Sequence, residues 1–159
     1  MIFITLGSQK FQFNRLLKKV DNLIEAGVIK EEVFAQIGYS DYIPCNFKYK
    51  KFLDHKEFAD MIHKANIVIT HGGSGSIVGS VKNGKKTIAV PRKAKYKEHV
   101  DDHQIQIIEQ FSKKNLICAC EDCDQLGAAL DTVKKTKYES YQSSTEDVIE
   151  SIIKFIESN

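Results

Sequence analysis

Short apolar runs alternate along the chain with segments in which apolar residues recur every three or four positions. The first pattern predicts buried β-strands and the second predicts amphipathic helices. The predicted strands lie at residues 2–6, 33–37, 47–53, 67–70, 87–90 and 116–119. Strands that alternate with helices are typical of a parallel sheet covered on both faces. The pattern therefore predicts an α/β fold with a Rossmann-like, doubly wound parallel sheet.

Helices are predicted between these strands and, at the end of the chain, over residues 124–135 and 145–157. Asp54 and Glu57 have the spacing of a capping box, which predicts that a helix begins there. In the last helix the apolar residues fall on one stripe, which consists of Val148, Ile149, Ile152, Ile153 and Ile156. That stripe favours packing on the home sheet, with docking of the helix on a partner as the alternative. The length of 159 residues fits a single domain over residues 1–159.

Composition excludes several classes of protein. The chain has 42% hydrophobic residues, 28% charged residues and 2 prolines, which is typical of a globular domain and not of a disordered or collagen-like chain. The formal net charge of +2 is too small to indicate nucleic-acid binding, so no nucleic-acid partner is expected. The sequence has neither an apolar run of about 18 residues nor a secretory signal, which predicts a cytoplasmic location.

The four cysteines are Cys45, Cys118, Cys120 and Cys123, and the last three form the segment C-A-C-E-D-C. This segment holds a single CxxC pair, whereas a zinc site needs four ligands and no second pair follows nearby. The spacing favours free, partly buried thiols over a metal or redox site.

The glycine-rich segment T-H-G-G-S-G-S, at residues 70–76, lies between a predicted strand and a predicted helix. Glycines allow a ligand to approach the backbone closely, and a helix N-terminus presents free N–H groups. The hydroxyls of Ser74 and Ser76 add donors, so the segment suits a diphosphate. The alternative is a tight turn in which Ser76 is the N-cap. The spacing is neither the dinucleotide fingerprint nor the P-loop.

Two further loops follow predicted strands and are expected at the same edge of the sheet. Gly7, Ser8 and Gln9 come after the first strand, with a helix expected next. The segment H-V-D-D-H-Q, at residues 99–104, leads into another helix. Its carboxylate, imidazole and amide groups suit recognition of sugar hydroxyls. Metal ligation and N-capping by one of the two aspartates are the alternatives.

Two segments are rich in basic residues. Residues 47–52 alternate aromatic and basic side chains, as surfaces for single-stranded nucleic acids do. The small net charge favours instead an edge strand whose lysines face solvent. Arg92, Lys93, Lys95 and Lys97 form a basic loop, for which we expect a solvated surface or contact with lipid phosphate.

Three motifs follow one another in a fixed order over about residues 1–120. They are a strand followed by GSQ and a helix, then ITHGGSGS, and then a proline followed by a basic loop and DDHQ. This order resembles that of family 28 glycosyltransferases. The similarity is to their C-terminal, donor-binding half, which is one half of a GT-B fold. Within this family, the chain resembles the small subunits of two-component bacterial exopolysaccharide and capsule glycosyltransferases. It is also similar to the small subunit of the eukaryotic UDP-GlcNAc transferase that acts on dolichol-linked GlcNAc.

The resemblance implies which residues bind a nucleotide-sugar. They are Gly7, Ser8, Gln9, Phe52, Leu53, His71, Gly72, Gly73, Ser74, Gly75, Ser76, Asp102, His103 and Gln104. The first three would approach the diphosphate, and residues 71–76 would form the main phosphate loop. Residues 51–53 would hold the uracil through backbone groups, and the last three would face the donor sugar. Gly79 stands where many members of the family have a glutamate that holds the ribose.

The function implied is that of the donor-binding subunit of an inverting glycosyltransferase that moves a hexose from a UDP-sugar to a lipid-linked acceptor in exopolysaccharide or capsule synthesis. No metal or other cofactor is expected. A membrane-anchored partner subunit would bind the lipid-diphosphate-linked sugar acceptor, supply the general base and hold the chain at the inner face of the cell membrane. The alternative, from another class, is a non-catalytic nucleotide-sugar-binding regulatory module.

Overall fold

The computed structural model describes residues 1–158, and within residues 143–146 the backbone alone. Its central sheet consists of β1 (Ile2–Thr5), β2 (Val33–Gln36), β3 (Lys48–Lys50), β4 (Ile67–His71), β5 (Lys86–Val90) and β6 (Cys118–Ala119). The strand order is β3-β2-β1-β4-β5-β6, and every neighbouring pair is parallel. The predicted α/β, doubly wound architecture is confirmed. The order reverses between β1 and β4, and open sheets of this kind bind ligands at such a point.

The helices are α1 (Asn14–Glu25), α2 (His55–Lys64), α3 (Ser74–Lys82), α4 (His103–Lys113), α5 (Leu126–Lys135) and α6 (Ser143–Ser158). The predicted capping box begins α2. The backbone N–H of Glu57 donates to Asp54 Oδ1 at 2.8 Å, and the N–H of Asp54 donates to Glu57 Oε2 at 3.2 Å. Short 3₁₀ turns at Ala94–Tyr96 and Cys123–Gln125 precede α4 and α5.

Apolar side chains cover both faces of the sheet, because successive residues of a strand point to opposite sides. Along β1, Ile2 and Ile4 pack in one cluster with Leu17 of α1, whereas Phe3 packs in another with Ile62 of α2. The first cluster also includes apolar residues of α5. A third cluster joins β5 to apolar residues of α3, α4 and α6. The sheet therefore lies between two layers of helices, and its loops are left at the two ends.

Strand β3 lies at one edge of the sheet. It is shorter than the predicted segment, and the side chains of Lys48 and Lys50 are exposed on either side of Tyr49. The prediction of an edge strand with lysines in solvent is confirmed. Such lysines discourage pairing of the edge with another chain.

Helix α6 packs against α4 of its own chain. Ile149 and Ile156 are buried in a cluster with Ile107 and Phe111 of α4. The apolar stripe thus covers a helix, whereas the sequence favoured packing on the sheet. Phe155 of the same helix is 71% exposed.

All four cysteines are free thiols, and only Cys45 is exposed. Burial raises the pKa of Cys120 and that of Cys123 to about 12, so both are protonated at neutral pH. Across residues 1–158, apart from the side chains of 143–146, no group of three or more His, Cys, Asp or Glu side chains is arranged to hold a metal ion. No helix in this part of the chain has both the length and the apolar character to cross a bilayer.

Candidate functional site

A cleft of about 450 Å³ opens at the carboxyl ends of β1 and β4, where the strand order reverses. Three loops and the end of α6 line it. The lining residues are Gly7, Ser8, Gln9, His71, Gly72, Gly73, Ser74, Gly75, Ser76, His99, Asp101, His103, Gln104, Ile107, Ile156 and Glu157. The structure thus brings together most of the residues named from the sequence, although Phe52, Leu53 and Asp102 are not in this lining.

The N-terminus of α3 forms one wall of the cleft. Gly73 is the N-cap, and no side chain caps the helix. The alternative in which Ser76 is the N-cap is therefore wrong, because Ser76 is the third residue of the helix. The backbone N–H groups of Ser74, Gly75 and Ser76 have no partner within the helix, and the helix dipole adds positive potential. This end of α3 is suited to bind an anion.

His71, at the end of β4, is a buried neutral imidazole. Burial lowers its pKa to about 3, and the positive charge of Arg92 acts in the same direction. Its Nδ1 accepts a hydrogen bond from the N–H of Gly73 at 3.1 Å. The proton of the neutral ring therefore lies on Nε2, which is 3.5 Å from Ser76 Oγ. His71 holds the turn before α3 and keeps one N–H donor on its other side.

Two glycines of the loop are required by the packing of this turn. A Cβ at Gly73 would lie 2.2 Å from His71 Cε1, and a Cβ at Gly72 would lie 2.5 Å from Gln104 Cβ. Gly75 differs, since a Cβ there would meet nothing within 4 Å. The first two glycines make room for protein side chains, and Gly75 faces the open cleft.

The loop after β1 also packs against His71. Gly7 has a φ of 70°, and a Cβ there would lie 2.6 Å from His71 Nε2. A helix was expected directly after this loop, but α1 begins only at Asn14. Its N-cap residue is Phe13, whose side chain forms no capping hydrogen bond. No residue of α1 lines the cleft. The first loop therefore offers backbone and side chains to a ligand, but no helix N-terminus.

Gln104 joins the turns that follow β4 and β5. Its Oε1 accepts hydrogen bonds from the backbone N–H of Gly72 at 3.2 Å and of Arg92 at 3.0 Å. Its Nε2 lies 3.3 Å from His71 Nδ1. The side chain is buried, and its amide has partners within the protein at both ends.

Asp101, rather than Asp102, lies at the cleft. Its carboxylate is between two imidazoles, 3.2 Å from His99 Nδ1 and 3.3 Å from His103 Nδ1. A hydrogen bond from the backbone N–H of His103, at 3.0 Å, lowers the pKa of Asp101. Asp102 is exposed, and its Oδ1 accepts from the N–H of Ala94 at 2.9 Å. Sequence reasoning singled out the segment at residues 99–104, but its list of binding residues held Asp102 and left out His99 and Asp101, which line the cleft.

Phe52 and Leu53 lie outside the cleft lining, beyond the carboxyl end of β3. The N–H of Leu53 donates to Gln36 Oε1 at 3.0 Å. The half-exposed ring of Phe52 contacts that of Tyr39 edge to face, with centroids 5.2 Å apart. Tyr39 follows Gly38, where a Cβ would lie 2.9 Å from the carbonyl oxygen of Gly7. This aromatic pair therefore lies on the same side of the molecule as the first loop of the cleft.

Replacing Gln104 with alanine is expected to lower the free energy of unfolding by about 1–3 kcal/mol, because two buried N–H groups lose their acceptor. Since the amide has protein partners, the affinities for UDP and for a UDP-hexose are expected to fall by the same factor. Urea denaturation and calorimetric titration measure these effects, with the exposed Gln106→Ala as control. A loss confined to the UDP-hexose would contradict the expectation and assign the amide to the sugar.

Comparison with known proteins identifies the domain. The profile of the glycosyltransferase family 28 C-terminal domain matches residues 1–157. The chain belongs to this family. The UDP-N-acetylglucosamine transferase subunit ALG13 of Yarrowia lipolytica is 27% identical over 99 residues, which are 61% of this chain and 48% of that protein.

Solved structures share the fold. The NMR solution structure of ALG13 has a TM-score of 0.62 and 20% identity, and the match covers 93% of this chain and 94% of that one. The crystal structure of the glycotransferase of kitacinnamycin has a TM-score of 0.63 and 15% identity, and the match covers 99% of this chain and 39% of that chain. This family 28 domain therefore has the fold of the C-terminal half of a GT-B glycosyltransferase. It spans about half the length of its Yarrowia relative.

Proposed function

We propose that this family 28 domain is the donor-binding subunit of an inverting, metal-independent glycosyltransferase. It binds a UDP-hexose in the cleft, and the hexose passes to a lipid-diphosphate-linked sugar acceptor in exopolysaccharide or capsule synthesis. The acceptor is bound by a membrane-anchored partner subunit, which also supplies the general base. Through that partner the chain lies at the inner face of the cell membrane.

The observation that carries the proposal is the N-terminus of α3 at the cleft. Three backbone N–H groups, at Ser74, Gly75 and Ser76, are without partners in the helix at the point where a sheet of this order binds ligands. Such donors stabilise the charge that develops on a leaving diphosphate in the transition state, which is the part that a metal ion plays elsewhere. The neutral His71, with its proton on Nε2, is a further donor beside them.

The partner is proposed from the family domain that the chain matches and from its relatives. A GT-B active site lies between two Rossmann-like halves, and this chain matches one of them. The name of the Yarrowia relative describes a subunit of a UDP-N-acetylglucosamine transferase. His71, His99 and His103 all belong to the loops of the donor cleft, so an acceptor hydroxyl is expected to find its base on the partner.

The purified chain is expected to bind UDP and a UDP-hexose without added metal, and to transfer no sugar by itself. Calorimetry in the presence of EDTA measures the binding, with UDP-Gal, UDP-Glc and UDP-GlcNAc compared as donors. Transfer to a lipid-diphosphate acceptor is measured with and without the co-expressed partner, and membrane fractions are tested for the chain in both cases. NMR of the product sugar reports whether its anomeric configuration has inverted.

Three outcomes would contradict parts of the proposal. Failure to bind UDP would overturn donor binding, and robust transfer by the isolated chain would overturn the need for a partner. Binding of UDP-sugar with no transfer in the presence of the partner would favour the regulatory module instead.

A further inference from the structure

Arg92 is fully buried, which the sequence did not indicate. The expectation that the basic loop at residues 92–97 is a solvated surface is wrong for this residue, whose exposure is 0%. Its Nη2 donates hydrogen bonds to the carbonyl oxygens of Leu6 at 2.8 Å and Phe11 at 3.2 Å. These two carbonyls bracket Gly7, Ser8 and Gln9. The guanidinium therefore ties down the loop that forms one side of the cleft.

In the part of the chain that the structure describes, no carboxylate lies within ion-pair distance of Arg92, although the charge of Glu98 acts from farther away and partly offsets the lowering of the guanidinium's pKa by burial. The buried carboxylate of Glu98 is bound by Arg15, whose Nε and Nη2 donate to its two oxygens at 2.9 and 3.0 Å. Asp122 pairs with Arg15 and Lys93, at 3.2 and 3.0 Å. Meanwhile Nε and Nη1 of Arg92 are buried without a hydrogen-bond partner. A buried cation in this position is costly unless an anion balances it.

The cleft itself lacks strong cations. Among the residues that the structure describes, its lining includes no lysine or arginine, and it includes the carboxylates of Asp101 and Glu157. A diphosphate that enters would meet two negative charges and the partial positive charge of the α3 N-terminus. A full positive charge buried behind the lining would offset the negative charge of these two carboxylates.

Arg92 is connected to the lining in three ways. It holds the first loop through Leu6 and Phe11, and its backbone N–H shares the Oε1 of Gln104 with Gly72. Its charge also acts on the imidazole of His71, whose pKa it lowers together with burial. Burial lowers the pKa of Arg92 to about 10, so the guanidinium stays charged at neutral pH.

We infer that Arg92 is a positioning residue of the donor site, and that its buried charge is the counter-charge for the diphosphate of the bound nucleotide. The inference rests on the proposed function, because the ligand it concerns is the donor. Arg92 fixes the Gly7–Gln9 loop from inside the protein and attracts the diphosphate through it.

The test compares Arg92→Met, which removes the charge, with Arg92→Lys, which keeps it. Calorimetry gives the UDP affinity at low and high NaCl, and NMR titration gives the affinity for uridine, which has no phosphate. The surface variant Lys97→Met removes a charge from the same loop and is the matched control. Circular dichroism and thermal melting establish that each variant is folded.

Arg92→Met is expected to weaken UDP binding by about tenfold or more, to reduce its dependence on salt, and to leave uridine binding unchanged. Arg92→Lys is expected to stay within about threefold of the parent, because a charge there acts over the same distance. Lys97→Met is expected to bind UDP like the parent.

The inference is overturned if folded Arg92→Met binds UDP as the parent does, which would leave the proposed function intact. It is also overturned if the affinities for UDP and for uridine fall equally, since that result would indicate that Arg92 maintains the shape of the site and that its charge does not act on the diphosphate. Should Arg92→Met fail to fold, a loss of UDP affinity or of its salt dependence in folded Arg92→Lys is the overturning result. A parent that binds no UDP overturns the inference and the proposed function together.

Discussion

Replacing Gly75 with aspartate is expected to weaken UDP binding by about a hundredfold or more while the protein stays as stable as the parent. A Cβ at this position would meet no atom of the surrounding protein within 4 Å, and Gly75 lines the cleft, so the new side chain is expected to enter it. There the new carboxylate would repel a diphosphate and compete for the same backbone N–H groups. In the first turn of a helix, however, the negative charge of an aspartate interacts favourably with the helix dipole and stabilises the fold by about 0.3–1 kcal/mol. Calorimetric titration with UDP and urea denaturation measure the two effects.

Gly127→Asp is the matched control, because Gly127 is the second residue of α5 as Gly75 is of α3, and it does not line the cleft. A Cβ there would make only an ordinary contact, at 3.6 Å from Leu23 Cδ2. The UDP affinity of this variant is expected to be close to that of the parent. If both variants bound UDP equally well, the N-terminus of α3 would not be the diphosphate site. If Gly75→Asp alone were unfolded, the description of its surroundings as open would be wrong.

Replacing Gly73 with alanine is expected to have the opposite consequence, a loss of folding stability of about 1–3 kcal/mol. The new Cβ would lie 2.2 Å from His71 Cε1, so the ring must move out of its hydrogen bond with the backbone. From the sequence alone, the glycines of this segment were expected to let a ligand approach the backbone closely. The structure gives a different reason for the glycine, which is the ring of His71. Urea denaturation measures the change in the free energy of unfolding.

A double-mutant cycle with His71→Ala tests the cause. In that background the ring is gone, so Gly73→Ala is expected to cost little, and the two substitutions should be coupled by about 1–2 kcal/mol. Additive losses would show that the cost at Gly73 comes from somewhere other than His71. The exposed His63→Ala is a control for the loss of an imidazole.

The fold was predictable because its signals are local. Apolar runs such as that of β1 mark central strands that are buried on both faces, and the Asp54–Glu57 pair marks a helix start by its spacing alone. The edge position of β3 followed from its alternating lysines. Helix α6 was predicted as a helix, but its contact surface was not, because a stripe of isoleucines packs as well on a helix as on a sheet.

The site was predictable only as a set of loops. Parallel strands end at one edge, so the loops after β1, β4 and β5 were expected to meet there, and they do. Which side chain of each loop faces the cleft depends on backbone angles and on distant partners. Asp102 turns to Ala94 while Asp101 turns to the imidazoles, and no spacing rule separates two adjacent aspartates. Arg92 looked like the rest of a basic loop because Leu6 and Phe11, which hold it, are far away in sequence.

The glycines of the β4–α3 turn are subject to two different kinds of selection. Gly72 and Gly73 are constrained by folding, because His71 and Gln104 fill the space beside them. Gly75 is constrained only by what enters the cleft. A mutation at either of the first two is expected to lower the stability of the fold, whereas a mutation at Gly75 is expected to leave a stable chain in which α6 still packs against α4. Descendants that lose sugar transfer but persist as subunits of a complex are therefore expected to keep the first two glycines and to vary at the third.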